Sequence, residues 1–361
     1  MDMLSNKNVA DEGFSVKQTN IAKGIACILL LTHHLFYSPN SYAWWKSLFM
    51  MGNEPIESVV AVLCRVCVTI FLLLSGYGVN EVLNKKLSAE TGNGFMQILR
   101  TSLRFVWKLW AGYAVVFVLF VPWQSLFGRH PYTSALDFAL DFAGLSDLFG
   151  SPTMNATWWY MSLALVSYAL VPFFKPLLRK TPELSFVVAM VFFALFLLRG
   201  GIFQSYVFMF GMILSEMRVF NRLGIVKKKA SYRWVVCIAF VLIAAVLRYI
   251  TVSWMDIVFA ISIIMLSYVC LSTVKFLSVS LEFVGKHSAN IFFFHSFLYL
   301  YNFRSFVYAP KYAPLILAAF IAECLLISMV LEGLKKLLFI QKGIDYIGNL
   351  IGGKVNKSSS K

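Results

Sequence analysis

An apolar segment near the amino terminus carries a lysine and two adjacent histidines. Residues 23–34 read Lys-Gly-Ile-Ala-Cys-Ile-Leu-Leu-Leu-Thr-His-His, in a stretch that is otherwise typical of a membrane-spanning helix. Lys23 and His34 fall within about 20° of the same helix face and about 16 Å apart along the helix axis. Ionisable groups at this depth usually serve substrate or proton chemistry. An ammonium group and an imidazole on one face therefore indicate an enzyme or a transporter.

The composition predicts that these residues belong to an all-α polytopic membrane protein. Hydrophobic residues make up 59% of the 361-residue chain and charged residues only 14%, which leaves no sequence for a soluble domain. Apolar windows of bilayer length predict about ten transmembrane helices that enclose an intramembrane cavity. We expect these helices near 21–37, 58–81, 105–122, 157–178, 184–199, 201–218, 233–250, 254–274, 289–303 and 312–338.

The distribution of charge predicts the orientation of the chain. Lysine and arginine are concentrated in alternate loops and in the tail, so the positive-inside rule places both termini in the cytosol. We expect a cytosolic segment over 1–20 without a removable signal peptide, a transmembrane domain over 21–338 and a cytosolic basic tail over 339–361. The net charge of +15 reflects this topology, and we expect no nucleic-acid partner.

Three local patterns add detail. Arg199-Gly200-Gly201 predicts a tight turn between two helices. The longest outer loop, 123–156, has acidic and apolar residues at helix-like intervals between Asp137 and Asp147, which predicts an interfacial amphipathic helix. This helix either roofs an outward-facing site or simply connects two spans. The Cys-x-x-Cys pair at 64 and 67 lies in apolar sequence without a second pair, so we expect no metal site.

The predicted topology sorts the polar residues of the spans into two layers. The outer layer contains His34, Arg65 and Trp158, and the inner layer contains Lys23 and Ser75. Arg65 can equally form a structural ion pair, and Trp158 can equally belong to the aromatic belt at the membrane surface.

Two further groups have ordinary structural explanations. His33 is turned about 100° around the helix from His34, and we expect it to pack or to form a hydrogen bond between helices. Ser75-Gly76-Tyr77 combines small residues that commonly allow close helix packing.

The order of these residues resembles that of acyltransferase family 3, whose members are multi-pass bacterial membrane enzymes. Lys23 and His34 occupy the spacing of the family's Arg-x10-His motif, with lysine in place of arginine. IFLLLSGY at 70–77 looks like the signature of the family's second helix. TWWYMSLALVSYALVPFF at 157–174 and VGKHSANIFFFHSFLY at 284–299 are similar to its two later segments. The likeness covers residues from about 20 to 335.

The resemblance implies an O-acyltransferase of the bacterial cytoplasmic membrane. Such an enzyme moves an acetyl group from cytosolic acetyl-CoA to a hydroxyl of an extracytoplasmic surface glycan, within the lipid bilayer. It implies that His34 acts either as a general base or as an acyl relay, and that Arg65 stabilises the oxyanion of the transition state. The residues expected to contact the substrates are Lys23, Ser75, Tyr77, Trp158 and His295.

Two other classes of protein remain as alternatives. A transporter or flippase for a sugar or a lipid-linked oligosaccharide also carries ionisable residues inside the membrane and broken helices. A sensory or scaffold domain is the third possibility. The ordered motifs and the lack of a detectable internal repeat favour the enzyme.

Overall fold

A computed structural model describes residues 14–89, 94–222, 225, 228–251 and 255–353, and it is almost entirely α-helical. Residues 1–13 of the predicted N-terminal segment and residues 354–361 of the predicted tail lie outside this range. A short antiparallel hairpin pairs strands β1, Met50–Met51, and β2, Glu54–Pro55. The α-helices, numbered in chain order, are α1 Val16–Phe36, α2 Ile56–Cys64, α3 Cys67–Ala89, α4 Gly94–Leu126, α5 Ala135–Phe142, α6 Ser146–Phe149, α7 Trp159–Lys180, α8 Pro182–Arg199, α9 Ser205–Glu216, α10 Ala230–Thr251, α11 Asp256–Val269, α12 Lys275–Ser296, α13 Arg304–Val307, α14 Ala313–Leu337 and α15 Ile340–Ile351.

The predicted class, an all-α polytopic membrane protein, is confirmed. Among the described residues, eight helical segments are long and apolar enough to cross a bilayer. They run over Val16–Phe36, Ile56–Ser88, Gly94–Leu126, Trp159–Lys180, Pro182–Arg199, Ala230–Thr251, Asp256–Thr273 and Ala313–Leu337.

The number of such segments is smaller than the ten expected. The predicted span at 201–218 forms α9, whose 12 residues rise only about 18 Å, against about 30 Å of hydrocarbon. The predicted span at 289–303 is the end of α12 and a following π-helical turn, Phe297–Asn302. Helix α12 carries Glu282 and Lys286, and it does not reach the apolarity of a simple span.

The chain forms two compact units. The first unit consists of Met1–Leu74, Leu214–Phe292 and Arg304–Leu325, and the second unit consists of Ser75–Ile213, Phe293–Phe303 and Leu326–Lys361. In the first unit, α1 packs against α2 and α11, while α10 packs against α11 and α2. In the second unit, α4 packs against α7 and α15, and α7 packs against α8.

Helix α1 is held at its start by a capping box and along its length by a close helix crossing. It begins at Val16, earlier than the predicted position 21, because Ser15 and Gln18 exchange hydrogen bonds around the first turn. Gly24 lies against the backbone carbonyl of Leu281, and Gly285 on the facing helix lies against the carbonyl of Asn20. Glycines at such positions let two helix backbones approach directly.

The connection between α8 and α9 in the second unit is set by backbone conformation. The predicted tight turn is confirmed: α8 ends at Arg199, and Gly200 and Gly201 adopt φ angles of 66° and 59°. These left-handed angles favour glycine. A short 3₁₀ turn, Gly201–Gln204, then leads into α9.

The predicted basic tail contains an ordered helix, α15, that packs along the start of α4. The Lys108 ammonium lies 2.9 Å from the Asp345 carboxylate. Arg104 donates a hydrogen bond of 2.8 Å to the Asn349 side chain, and the Trp107 indole donates one of 2.9 Å to the backbone of Ile344. Residues 340–351 are therefore part of the folded second unit.

The close crossing at Gly24 predicts that Gly24→Ala lowers the stability of the protein. The added methyl group would collide with the Leu281 carbonyl, which belongs to the backbone and cannot rotate away. We expect a loss of about 1–3 kcal/mol in the free energy of unfolding. The matched control is Gly78→Ala, since a Cβ atom at Gly78 meets open space. Thermal unfolding in detergent compares the two, and equal melting temperatures would contradict the prediction.

Candidate functional site

Helix α1 places Lys23 and His34 as the spacing predicts. The helix runs without interruption from Val16 to Phe36, so the two half-buried side chains share one face. Within the described residues, the Lys23 ammonium makes no hydrogen bond and no ion pair. It is therefore available to an anionic group from outside the chain.

The two histidine rings meet edge to face at the end of α1. The ring centroids of His33 and His34 are 5.1 Å apart, and the His33 ring also packs on Tyr37 at 4.7 Å. His33 Nδ1 lies 2.8 Å from the backbone oxygen of Ala61 on α2. A carbonyl oxygen only accepts, so His33 Nδ1 carries the proton and donates this bond. The prediction that His33 forms a hydrogen bond between helices is confirmed.

Arg65 lies at a break in the second membrane span. Helix α2 ends at Cys64 and α3 begins at Cys67, so Arg65 and Val66 fall between the two helices. The Arg65 side chain is exposed, and within the described residues it makes no hydrogen bond and no ion pair. It lies close enough to His33 and Asp256 to interact with both electrostatically. Arg65 therefore places a positive charge beside the histidine pair, and within the described residues this charge forms no ion pair with an acidic side chain.

A buried ion pair completes this region. Arg248, in the last turn of α10, lies with Nε 2.9 Å from Oδ1 of Asp256, the first residue of α11. The Arg248 side chain is 2% exposed and the Asp256 side chain is 12% exposed. A carboxylate is also favourable at the N-terminus of a helix. Arg248 interacts electrostatically with His33 as well.

The histidine–arginine cluster thus consists of His33, His34, Arg65, Arg248 and Asp256, all in the first unit. The motifs and spacing of the sequence single out neither Arg248 nor Asp256. The available signal was an arginine in the last turn of an apolar segment, followed eight positions later by an aspartate. The spacing alone does not show that the two side chains meet.

The remaining predicted site residues, Ser75, Tyr77, Trp158 and His295, lie in the second unit. Ser75 is within hydrogen-bonding reach of the Tyr168 side chain, and Tyr77 is buried. Gly76 lies against the backbone carbonyl of Phe208 on α9, so the packing explanation is confirmed at this glycine, and the expected roles of Ser75 and Tyr77 stay predictions.

Trp158 and His295 are core residues of the second unit. Trp158 is 3% exposed and donates a hydrogen bond of 2.9 Å from its indole nitrogen to the backbone oxygen of Phe293. Its ring packs against Tyr113 and Phe117 at centroid distances of 4.8 and 5.5 Å. The ring and its polar nitrogen are both used inside the protein, and the expected contact of Trp158 with a substrate stays a prediction. His295 is fully buried.

The segment between α4 and α7 is organised by Asp141. The predicted amphipathic helix is instead two short helices, α5 and α6, because the chain turns at Gly144, where φ is 75°. The Asp141 carboxylate accepts hydrogen bonds of 2.7–2.8 Å from the Tyr132 hydroxyl, the Thr153 hydroxyl and the Met154 amide. Burial raises the pKa of the Asp141 carboxyl, and these donors oppose the shift.

A pocket of about 400 Å³ opens beside this segment. Its walls include Asp147, Ser151 and the half-buried Trp159. Burial raises the pKa of the Asp147 carboxyl too. Trp159, and not Trp158, is the more accessible of the two tryptophans.

Comparison with known proteins identifies one family. A family model described as an acyltransferase domain matches residues 17–333. No curated protein and no solved structure matches the chain. The matched range contains the whole histidine–arginine cluster and Lys23.

The buried ion pair predicts strong coupling between Arg248 and Asp256. Arg248→Leu leaves a buried carboxylate without its partner, and we expect it to cost about 3–5 kcal/mol of unfolding free energy. The double variant Arg248→Leu, Asp256→Leu should recover most of this loss, since two apolar residues can replace a buried pair. Thermal unfolding of the two single variants, the double variant and the parent protein measures the coupling energy.

The exposed pair Lys108–Asp345 provides the control for this cycle. Its side chains are 41% and 44% exposed, so the same double-mutant cycle should give at most about 1 kcal/mol. Additive effects of Arg248→Leu and Asp256→Leu would show that the two side chains do not stabilise each other.

Proposed function

The chain belongs to acyltransferase family 3, and from this membership we propose that it transfers an acetyl group from cytosolic acetyl-CoA to a hydroxyl of an extracytoplasmic glycan. The family match covers nearly the whole chain, and the helices make it a multi-pass membrane acyltransferase. The proposed location is the bacterial cytoplasmic membrane, with both termini in the cytosol. Membership in this family favours acyl transfer over the transporter alternative.

The observation that carries the proposal is the position of Arg65 beside the histidine pair. An acyl transfer needs a base for the acceptor hydroxyl and a positive group for the oxyanion that forms at the thioester carbonyl. The His34 imidazole and the Arg65 guanidinium supply these two groups. Arg248 is not equivalent to Arg65, because its charge is already paired with Asp256.

In the proposed reaction, His34 takes the proton of the acceptor hydroxyl as the oxygen attacks the thioester carbonyl. Arg65 donates hydrogen bonds to the oxyanion of the tetrahedral intermediate. The carbon–sulfur bond then breaks, and the departing thiolate takes the proton from the His34 imidazolium. The products are an acetyl ester and free CoA, so the proton balance closes within the site.

A relay through His34 is the second form of the same proposal. The imidazole itself attacks the thioester, carries the acetyl group and passes it to the acceptor. A relay gives ping-pong kinetics, whereas direct transfer requires a ternary complex of donor, acceptor and enzyme. Initial-rate measurements at varied concentrations of both substrates separate the two.

Lys23 fits the donor side of the proposed site. It lies about 16 Å from His34 along α1, toward the end of the helix that the topology places in the cytosol. Its ammonium is available to a phosphate or carbonyl oxygen of the donor. Lysine offers a point charge and not the planar fork of arginine, so it neutralises charge without fixing a bidentate geometry.

Loss of the proposed base predicts loss of acetyl transfer. Membranes from a strain that lacks the protein are supplied with labelled acetyl-CoA and carry either the intact chain or His34→Ala. We expect label in the surface glycan to fall by about 10²–10⁴-fold with His34→Ala at equal expression. The matched control is His287→Ala, a histidine of α12 outside the cluster, which should keep the activity. Equal incorporation by intact protein and His34→Ala would remove His34 from the mechanism.

Loss of the proposed oxyanion group predicts a change in kcat. We expect Arg65→Met to lower kcat by about 10²–10³-fold with little change in the KM for acetyl-CoA, because the oxyanion exists only after attack on the carbonyl. Arg65→Lys keeps the positive charge, so its kcat should lie between those of the parent protein and Arg65→Met. A rise in KM at constant kcat would instead assign Arg65 to substrate binding.

A further inference from the structure

The end of helix α4 forms a motif that brings the backbones of two polar residues, Gln124 and Arg129, together. The Arg129 amide donates to the Gln124 carbonyl at 3.1 Å, and the Gly128 amide donates to the Ser125 carbonyl at 3.1 Å. Gly128 adopts a φ angle of 83°, in the left-handed region. These are the bonds of a Schellman motif, in which the chain reverses over the last turn of the helix. Arg129 is thereby held next to Gln124.

Gln124 is a buried residue whose side-chain amide lacks a hydrogen-bond partner in the part of the chain that the structure describes. Its side chain is 1% exposed, and within the described residues neither its nitrogen nor its oxygen makes a hydrogen bond. An unsatisfied buried polar group of this kind costs about 1–3 kcal/mol. A leucine of similar size would avoid this cost, so folding does not explain the amide.

Arg129 is held in place while its terminal nitrogens stay available. Its Nε donates a hydrogen bond of 2.9 Å to the backbone oxygen of Met154, and its guanidinium lies 4.0 Å from the centre of the Tyr301 ring. These two contacts fix the plane of the side chain. Within the described residues, no carboxylate forms an ion pair with Arg129. A fixed guanidinium with free terminal nitrogens suits bidentate recognition of a carboxylate or a phosphate.

Gln124 and Arg129 both contribute to the wall of one pocket of the second unit. The pocket has a volume of about 500 Å³, and His130 and Tyr301 also contribute to its wall. This volume is in the usual range for small-molecule sites. Helix α4 begins near Arg100 and Arg104, which the positive-inside rule assigns to the cytosol, so its other end and this pocket face outward.

We propose that this pocket binds an acidic sugar residue, with its carboxylate on the Arg129 guanidinium and a ring hydroxyl on the Gln124 amide. The choice of a sugar follows from Gln124, because an amide both donates and accepts, as a hydroxyl does. An ionised phosphate group only accepts hydrogen bonds, so it would bind the NH₂ group of the Gln124 amide and leave the amide oxygen without a donor. The pocket then serves as a subsite for the glycan acceptor, an assignment that rests on the proposed function.

Direct binding tests the pocket without acyl transfer. The full-length protein in lipid nanodiscs is titrated with methyl β-D-glucuronide and with methyl β-D-glucoside, which differ only at the carboxylate, and binding is followed by saturation-transfer NMR. We expect the glucuronide to bind at least about tenfold more tightly, which corresponds to about 1.4 kcal/mol. Arg129→Gln should remove this preference. No preference in the parent protein, or an unchanged preference in Arg129→Gln, would overturn the proposal.

Gln124→Leu separates a binding role from a structural role. It removes an unsatisfied buried amide, so the melting temperature should stay equal or rise, while the affinity for the glucuronide should fall. A lower melting temperature with unchanged affinity would assign Gln124 to the fold and overturn its role here.

A third probe, glycerol 1-phosphate, distinguishes a sugar from a lipid headgroup. Tighter binding of glycerol phosphate than of the glucuronide would overturn the proposal in favour of a headgroup site. Glucuronide binding without any acetyl transfer would support the assignment of the pocket and contradict the proposed function. Acetyl transfer without glucuronide binding would support the proposed function and overturn the assignment of the pocket.

Discussion

The buried ion pair of Arg248 and Asp256 is the interaction on which the histidine–arginine cluster depends. A guanidinium that is 2% exposed in an apolar helix requires a counter-charge, because an unpaired charge is expensive to bury. Asp256 meets this requirement from the first turn of α11 and so holds the ends of α10 and α11 together. The pairing also distinguishes the two arginines, since within the described residues the exposed Arg65 side chain forms no ion pair.

The break in the second span is the complementary constraint. A bilayer allows irregular backbone only where protein or a water-filled cavity satisfies the freed polar groups. At this break the exposed Arg65 side chain is electrostatically coupled to His33 and Asp256. His33, bonded to the carbonyl of Ala61 just before the break, ties α1 to α2 at this level. The ring of His34 meets the His33 ring edge to face and so lies in the same region as the arginine.

In the second unit, polar groups outside the membrane spans position the segment between α4 and α7 and the Arg129 side chain. Asp141 accepts hydrogen bonds from Tyr132, which precedes it in the chain, and from Ser146, Thr153 and Met154, which follow it. These four bonds fix the segment between α4 and α7. The same segment supplies the Met154 carbonyl that orients Arg129. The buried Asp141 carboxylate therefore helps to orient the Arg129 guanidinium through the backbone of Met154, and not through an ion pair with it.

The sequence by itself determined the class of the protein, most of its spans, the tight turn at Gly200 and Gly201, and the shared face of Lys23 and His34. These features depend on composition, local backbone preference and helix periodicity, all of which act over short stretches of chain. Only the tertiary structure decided that Arg248 meets Asp256, that Trp158 lies in a core, and that the Gln124 side chain has no hydrogen-bond partner among the described residues. Such outcomes depend on which helices pack together and at what level, and the spacing of residues along one chain does not contain that information.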